Sequence, residues 1–192
     1  TVEENDNRSR LSALAGLTEA QMRQGKTDEA DATSLLLLET APKSPYAKLL
    51  RAQAAASAGD LQTARRLLEE TVSSNPENLQ ARTVLGAVNL QQGNYGQAEM
   101  HLANVVANQP DNLQAQRLLA QVRNEVQSPE ETLEALKPSL QRPSTDPGLL
   151  TLASRLSMQS GDTEQALGYL AKAAESAAQK SPQAQLEVAG AY

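Results

Sequence analysis

The chain lacks cysteine, phenylalanine and tryptophan, and four tyrosines are its only aromatic residues. Without cysteine there are no disulfides and no thiolate chemistry, and the redox compartment stays open. A single histidine, His101, cannot build the usual zinc sites without cysteine partners, and no metal is expected. No apolar run approaches the length that crosses a membrane, and no signal peptide is visible. No cluster of Lys or Arg offsets the net charge of −6, so a nucleic-acid partner is not expected. The motifs GxxxxGK[ST], GxGxxG, HExxH and GxSxG are all missing, and with them the common nucleotide, metal and acyl-transfer sites. The expectation is a non-catalytic chain with no cofactor. Thr1 stands where an initiator Met would be, which suggests a processed or trimmed piece.

What remains is Ala, Leu and some Val. Ala and Leu are the best helix formers, and the aromatic residues that favour strands are scarce, so composition alone points to an all-α chain. It also carries a period. Gly25, Gly59, Gly93 and Gly161 are separated by 34, 34 and 68 residues. Ala30, Ala64, Ala98 and Ala166 follow in step, and so do Leu68, Leu102, Leu136 and Leu170. Three columns locked to one interval define a repeat.

The block from Leu79 to Asn112 shows its physics. Ala81, Val84, Leu85, Val88 and Leu90 recur at helical spacing and make one buried face. Gly93-Asn94 then breaks the helix, because Gly accepts the left-handed conformation and Asn94 suits an N-cap. Ala98, Leu102, Val105 and Val106 give a second helical face, which Pro110 stops. Each block therefore predicts two antiparallel helices joined by a tight turn. Five blocks follow in register: 11–44, 45–78, 79–112, 113–146 and 147–180. The fourth breaks at Gln127-Ser128, with Pro129 in the first turn of its second helix. Residues 181–192 read as the first helix of a truncated sixth block, and residues 1–10 as a polar lead or the worn end of a preceding repeat.

Two columns of small residues predict close helix packing. Thr18, Ala52, Gly86, Ala120, Ser154 and Ala189 precede each turn, and Ala30, Ala64, Ala98, Thr132 and Ala166 follow it. Larger side chains there would overpack the contact at a cost of about 1–3 kcal/mol.

These residues resemble the tetratricopeptide repeat (TPR) family, whose units of the same length end in Ala, an apolar residue and Pro. The resemblance covers Leu11 to Lys180. It implies a right-handed α-α superhelical solenoid of tandem helix-turn-helix units that binds protein or peptide partners. Departures are present. Leu14, Lys48, Arg82, Gln116 and Leu150 stand where the family has a bulky aromatic. Ser144 and Ala178 replace the terminal Pro in the last two blocks. These losses predict a lean core and modest stability per repeat. The wording of residues 82–112 and 161–175 is also similar to the bacterial TPR lipoproteins of PEP-CTERM, exosortase-linked exopolysaccharide systems. That resemblance implies an extracytoplasmic scaffold, periplasmic or envelope-associated, although no lipid-bearing Cys is present and a cytoplasmic location stays open.

In such a solenoid the first helices line a concave wall. Helical spacing nominates Tyr46, Leu49, Gln53, Thr83, Leu90, Arg117, Gln121 and Arg155 as exposed inner residues. Amides donate and accept, which suits an extended peptide backbone, while Met22, Leu90 and Met158 offer adaptable apolar sockets. Arg117 and Arg155 offer charge for an acidic group. The Lys and Asn set by which TPR domains grip acidic chaperone tails is absent. His101 reads as a partly exposed packing residue, and Glu69-Glu70 and Glu130-Glu131 as solvated surface. The apolar tail from Leu186 to Tyr192 predicts a parent chain that continues, and self-association through exposed terminal repeats. The alternatives to a peptide-binding scaffold are a passive spacer and a recruitment segment of a larger multidomain protein, which could be an enzyme.

Overall fold

The computed structural model describes residues 2–141 and 146–178, with side chains over 7–141 and 146–177. Among these residues there are ten helices and no strand. The chain divides into two compact units, residues 1–101 and 102–192, each described by itself below.

The first unit holds α1 (Val2–Arg23), α2 (Thr27–Thr40), α3 (Pro45–Ser57), α4 (Leu61–Ser74) and α5 (Leu79–Gln91). The division falls inside α6 (Tyr95–Asn108). The second unit holds α7 (Leu113–Val126), α8 (Pro129–Leu140), α9 (Pro147–Gln159) and α10 (Thr163–Ala178). The polar lead is not a separate segment, because residues 2–10 are the opening turns of α1. No Gly or Pro interrupts these residues, so the helix runs through them. The proposed sixth block, including Ala189 and the apolar tail, lies outside the described residues.

The turns follow from local chemistry. Gly25, Gly59, Gly93 and Gly161 have φ of 71°, 88°, 74° and 86°, the left-handed region that only Gly adopts without strain. Around Gly59 the Asp60 amide donates to the Ala55 carbonyl at 2.8 Å and the Gly59 amide to Ala56 at 3.1 Å. That is the hydrogen-bond pattern of a Schellman stop. Asp60 then caps the next helix by accepting from the Thr63 amide at 3.0 Å. Repeat four turns without glycine. Gln127 is extended, Ser128 accepts from the Glu131 amide, and the Glu131 carboxylate accepts from the Ser128 amide, a complete capping box with Pro129 behind it. Glu131 is therefore a capping residue as well as an exposed acid.

First helices start on a column of caps: Ser44, Asn78, Asn112 and Asp146 each accept from the amide three residues on. Both small-residue columns are buried throughout the described chain, from Thr18 and Ala30 to Ser154 and Ala166. In the first unit, Leu49, Leu67, Leu68 and Leu85 join α3, α4 and α5 in one apolar cluster. In the second, Leu136, Leu149, Leu152 and Leu156 join α8 and α9.

Candidate functional site: the first-helix faces

The nominated wall is narrower than helical spacing predicts. Tyr46 is exposed, Gln53 and Leu90 are half-buried, and Gln121 and Arg155 are exposed. Leu49 and Thr83 are not on a free surface at all. Leu49 is 3% exposed and packs among Leu67, Leu68 and Leu85. Thr83 is 4% exposed and its hydroxyl donates to the Leu79 carbonyl at 2.8 Å. Leu49 belongs to the face that the next helix pair covers, so it serves packing, and the buried Thr83 stands in the same column. Arg117 is also less available than expected. Its Nε pairs with Asp146, the N-cap of α9, at 3.2 Å. A Cβ on Gly148 would lie 2.6 Å from the Arg117 Nη1, so the guanidinium rests against the glycine backbone at the start of α9. Arg155 and Gln121 make no such bond to a described neighbour. Beside them in the second unit, Met158 is 55% exposed and Asn124 half-buried.

Of the nominated residues in the first unit, Tyr46 alone lines a groove of about 520 Å³. Ala15, Leu37 and Ala47 form an apolar floor, with Gly16 open beside them, and Arg8, Glu19 and Tyr46 stand at the rim. The Tyr46 hydroxyl donates to the Glu19 carboxylate at 2.5 Å, and Arg23 approaches the other Glu19 oxygen at 3.7 Å. This hydrogen bond, with partial burial and the Glu19 charge behind it, raises the Tyr46 pKa above its ordinary value, so the phenol stays a donor. Glu19 therefore has partners within the first unit, and Arg8 lines the groove beside it. The groove as a whole offers an apolar slot with a cation at its edge. Its floor was not anticipated, because it needs α2 and the Ala41–Ser44 connection beside α1, and spacing along one helix does not report that.

Two polar residues are interior. Arg51 is 8% exposed and pairs with Asp31 across the first repeat junction. His101 is also 8% exposed, less than a partly exposed packing residue would be, and its Nδ1 has no hydrogen-bond partner. Burial, reinforced by the charge of Arg82 and opposed by Glu69, lowers its pKa and holds it neutral. Among the described residues no three His, Asp or Glu side chains gather as a metal site, and no helix is long and apolar enough to cross a membrane.

Two models of the tetratricopeptide repeat family match the chain, over residues 16–78 and 55–122, and together they span more than half of it. No curated protein matches. Among solved structures, a thermophilic TPR protein from Thermus thermophilus is 19% identical with a TM-score of 0.74, covering 94% of this chain and 98% of that one. MamA from Desulfovibrio magneticus RS-1, from residue 41 to its end, is 21% identical with a TM-score of 0.71, covering 90% and 98%. At such identities the likeness is one of fold. Helix pairs at a fixed interval, glycine turns, small-residue columns and the matching family models agree: the chain belongs to the tetratricopeptide repeat proteins.

Proposed function

We propose that the chain is a protein-interaction scaffold that takes an extended peptide segment along its first-helix faces, anchored in the groove of the first two repeats. The groove carries this reading. It has a continuous apolar floor for one or two side chains, and its rim presents the Arg8 guanidinium as well as the Tyr46–Glu19 pair. Within the first unit Gln53 and Leu90 add an amide and an apolar socket, and the second unit by itself offers Gln121 and Arg155, an amide and a cation. Among the described residues the surface has no buried reactive set, which favours binding over catalysis. Placement in an envelope or exopolysaccharide-export assembly rests on the sequence resemblance alone. Fractionating cells that express the native protein tests it, and a purely cytosolic protein would end it.

The binding reading is tested with peptides selected from a random library on the immobilised chain. Gly16→Leu fills the groove from a position where a Cβ meets nothing within 4 Å. It also removes a helix-interior glycine, worth about 1 kcal/mol of added stability. The selected peptide should lose about tenfold or more in affinity for Gly16→Leu and Tyr46→Ala. It should lose less for the triple variant Gln53→Ala, Gln121→Ala, Arg155→Ala. Unchanged binding by folded groove variants would move the site elsewhere. Full binding after deletion of one whole repeat would favour a spacer.

A further inference from the structure

The groove of the first unit marks a place that other repeats close with a side chain of their own. Ala15 opens a column that continues as Leu49, Thr83 and Arg117. The buried Leu49 packs with Leu67 and with Ala81 and Leu85 of the next first helix. Ala81 is the counterpart of Ala47, which lines the groove. In the second unit the Arg117 side chain lies against Gly148 and pairs with Asp146 at 3.2 Å. Those two stand in the columns of Tyr46 and Ser44, which also line the groove. Ala15 stops at Cβ, so the space that its counterparts take up stays open. The walls of that space are α1, the Leu37–Ser44 stretch and α3, all within the first unit.

The internal occupants include a leucine and an arginine, and the lining decides between them. Arg117 finds a carboxylate at Asp146. The same place in the first unit is Ser44, whose hydroxyl oxygen accepts from the Ala47 amide at 3.3 Å. Glu19, the acid of the lining, is taken up by the Tyr46 hydroxyl and lies beside Arg23. An incoming guanidinium would lose water and gain no carboxylate of its own. The floor is apolar instead, built by Leu11, Ala15, Leu37, Ala41 and Ala47. There each methylene withdrawn from water adds about fourfold in affinity. The rim adds a charge preference. Arg8 lines the groove two turns before Ala15 on α1, about 10 Å along the axis. About three residues of an extended chain span that distance.

We propose that the groove is the anchor pocket for a leucine-type side chain of a partner peptide, seated where Leu49 sits one repeat later, with a carboxylate of the same peptide about three residues away against Arg8. The inference rests on the peptide-binding reading above and adds the chemistry of the ligand. The partner supplies from outside a contact that the chain makes for itself in the next repeat.

The probe is a blocked heptapeptide, Asp-Ser-Ser-Leu-Ser-Ser-Asp, whose two aspartates serve either direction along the groove. Titrated into the isotope-labelled full chain and followed by amide NMR, it should shift Ala15, Tyr46 and Ala47. Replacing its leucine by alanine or by arginine should weaken binding about tenfold or more. Replacing both aspartates by lysine should weaken it about threefold at low salt and less at high salt. Ala15→Leu gives the first repeat the side chain that the second already carries, so it should keep helix content and melting temperature and abolish the shifts. Arg8→Glu, on an exposed turn of α1, should reverse the preference between the aspartate and lysine peptides, and it keeps the test open if Ala15→Leu does not fold. Equal binding of the leucine and alanine peptides would overturn the proposal, and so would full binding by a folded Ala15→Leu chain. An unchanged preference in Arg8→Glu would overturn the place given to the carboxylate. Library-selected peptides that enter the groove with an arginine or an aromatic anchor would overturn this inference and leave the peptide-binding reading standing. A groove that no selected peptide enters would overturn both.

Discussion

The two units solve the same packing problem with different chemistry. In the first, every turn within a helix pair uses a left-handed glycine, and the junction between the first two repeats pairs the buried Arg51 with Asp31. In the second, repeat four turns on the Ser128 capping box, and the junction of α8 with α9 is made by leucines. Both units keep the columns of small residues and the caps of the first helices. The comparison separates what the repeat needs from what it tolerates. Helix spacing and helix starts are held to the period, while the filling of a junction can be charged or apolar if its partner changes with it.

Apolar truncation gives the largest expected effect. Leu85→Ala in the first unit and Leu156→Ala in the second each remove a fully buried side chain and should cost about 3 kcal/mol in urea unfolding followed by circular dichroism. If the units unfold separately, each change will move its own transition and leave the other in place. Asp31→Ala comes next, at about 2–3 kcal/mol, because it strands a buried guanidinium; Asp31 is itself partly exposed, which keeps the figure below that of a fully buried pair. Adding Arg51→Leu to that variant should recover most of the loss, since the rest of the column is apolar. No recovery would mean that the first junction depends on its charges in a way the second does not.

The turns sharpen the comparison at a smaller scale. Gly59→Ala forces a Cβ into the left-handed region and should cost about 1–2 kcal/mol. Ser128→Ala removes a cap and should cost about 1 kcal/mol. Similar losses would show that the two turn chemistries carry equal weight. The smallest effect is that of pH on His101. Its folded pKa lies below the ordinary 6.5, so the folded state holds it neutral and the unfolded chain takes up its proton first. Its contribution is full above 6.5 and declines as pH falls below that value through the folded pKa. Thermal melts between neutral and mildly acidic pH should show this decline in the native chain, and His101→Gln should flatten it.

The period, the helix pairs and the glycine turns were legible in the sequence because each depends on residues within a turn or two of one another. Gly25 and Gly59 announce their own backbone, and Ala30 and Ala64 announce a close approach. The column Ser44, Asn78, Asn112 and Asp146 carries an equally plain capping signal. The nominated wall fared less well. Tyr46, Gln121 and Arg155 are exposed, while Leu49 and Thr83 are packed away and Arg117 is tied to Asp146. Spacing along a helix says which residues share a face, but the neighbour that lies on that face comes from elsewhere in the chain.

The amino-acid order alone thus determined an all-α chain of repeated helix pairs, because propensity, caps and left-handed glycine act over a few residues. Tertiary structure decided which faces are free. Leu85 is buried because the preceding helix pair lies against it, and its exposure is set by that contact rather than by the residue.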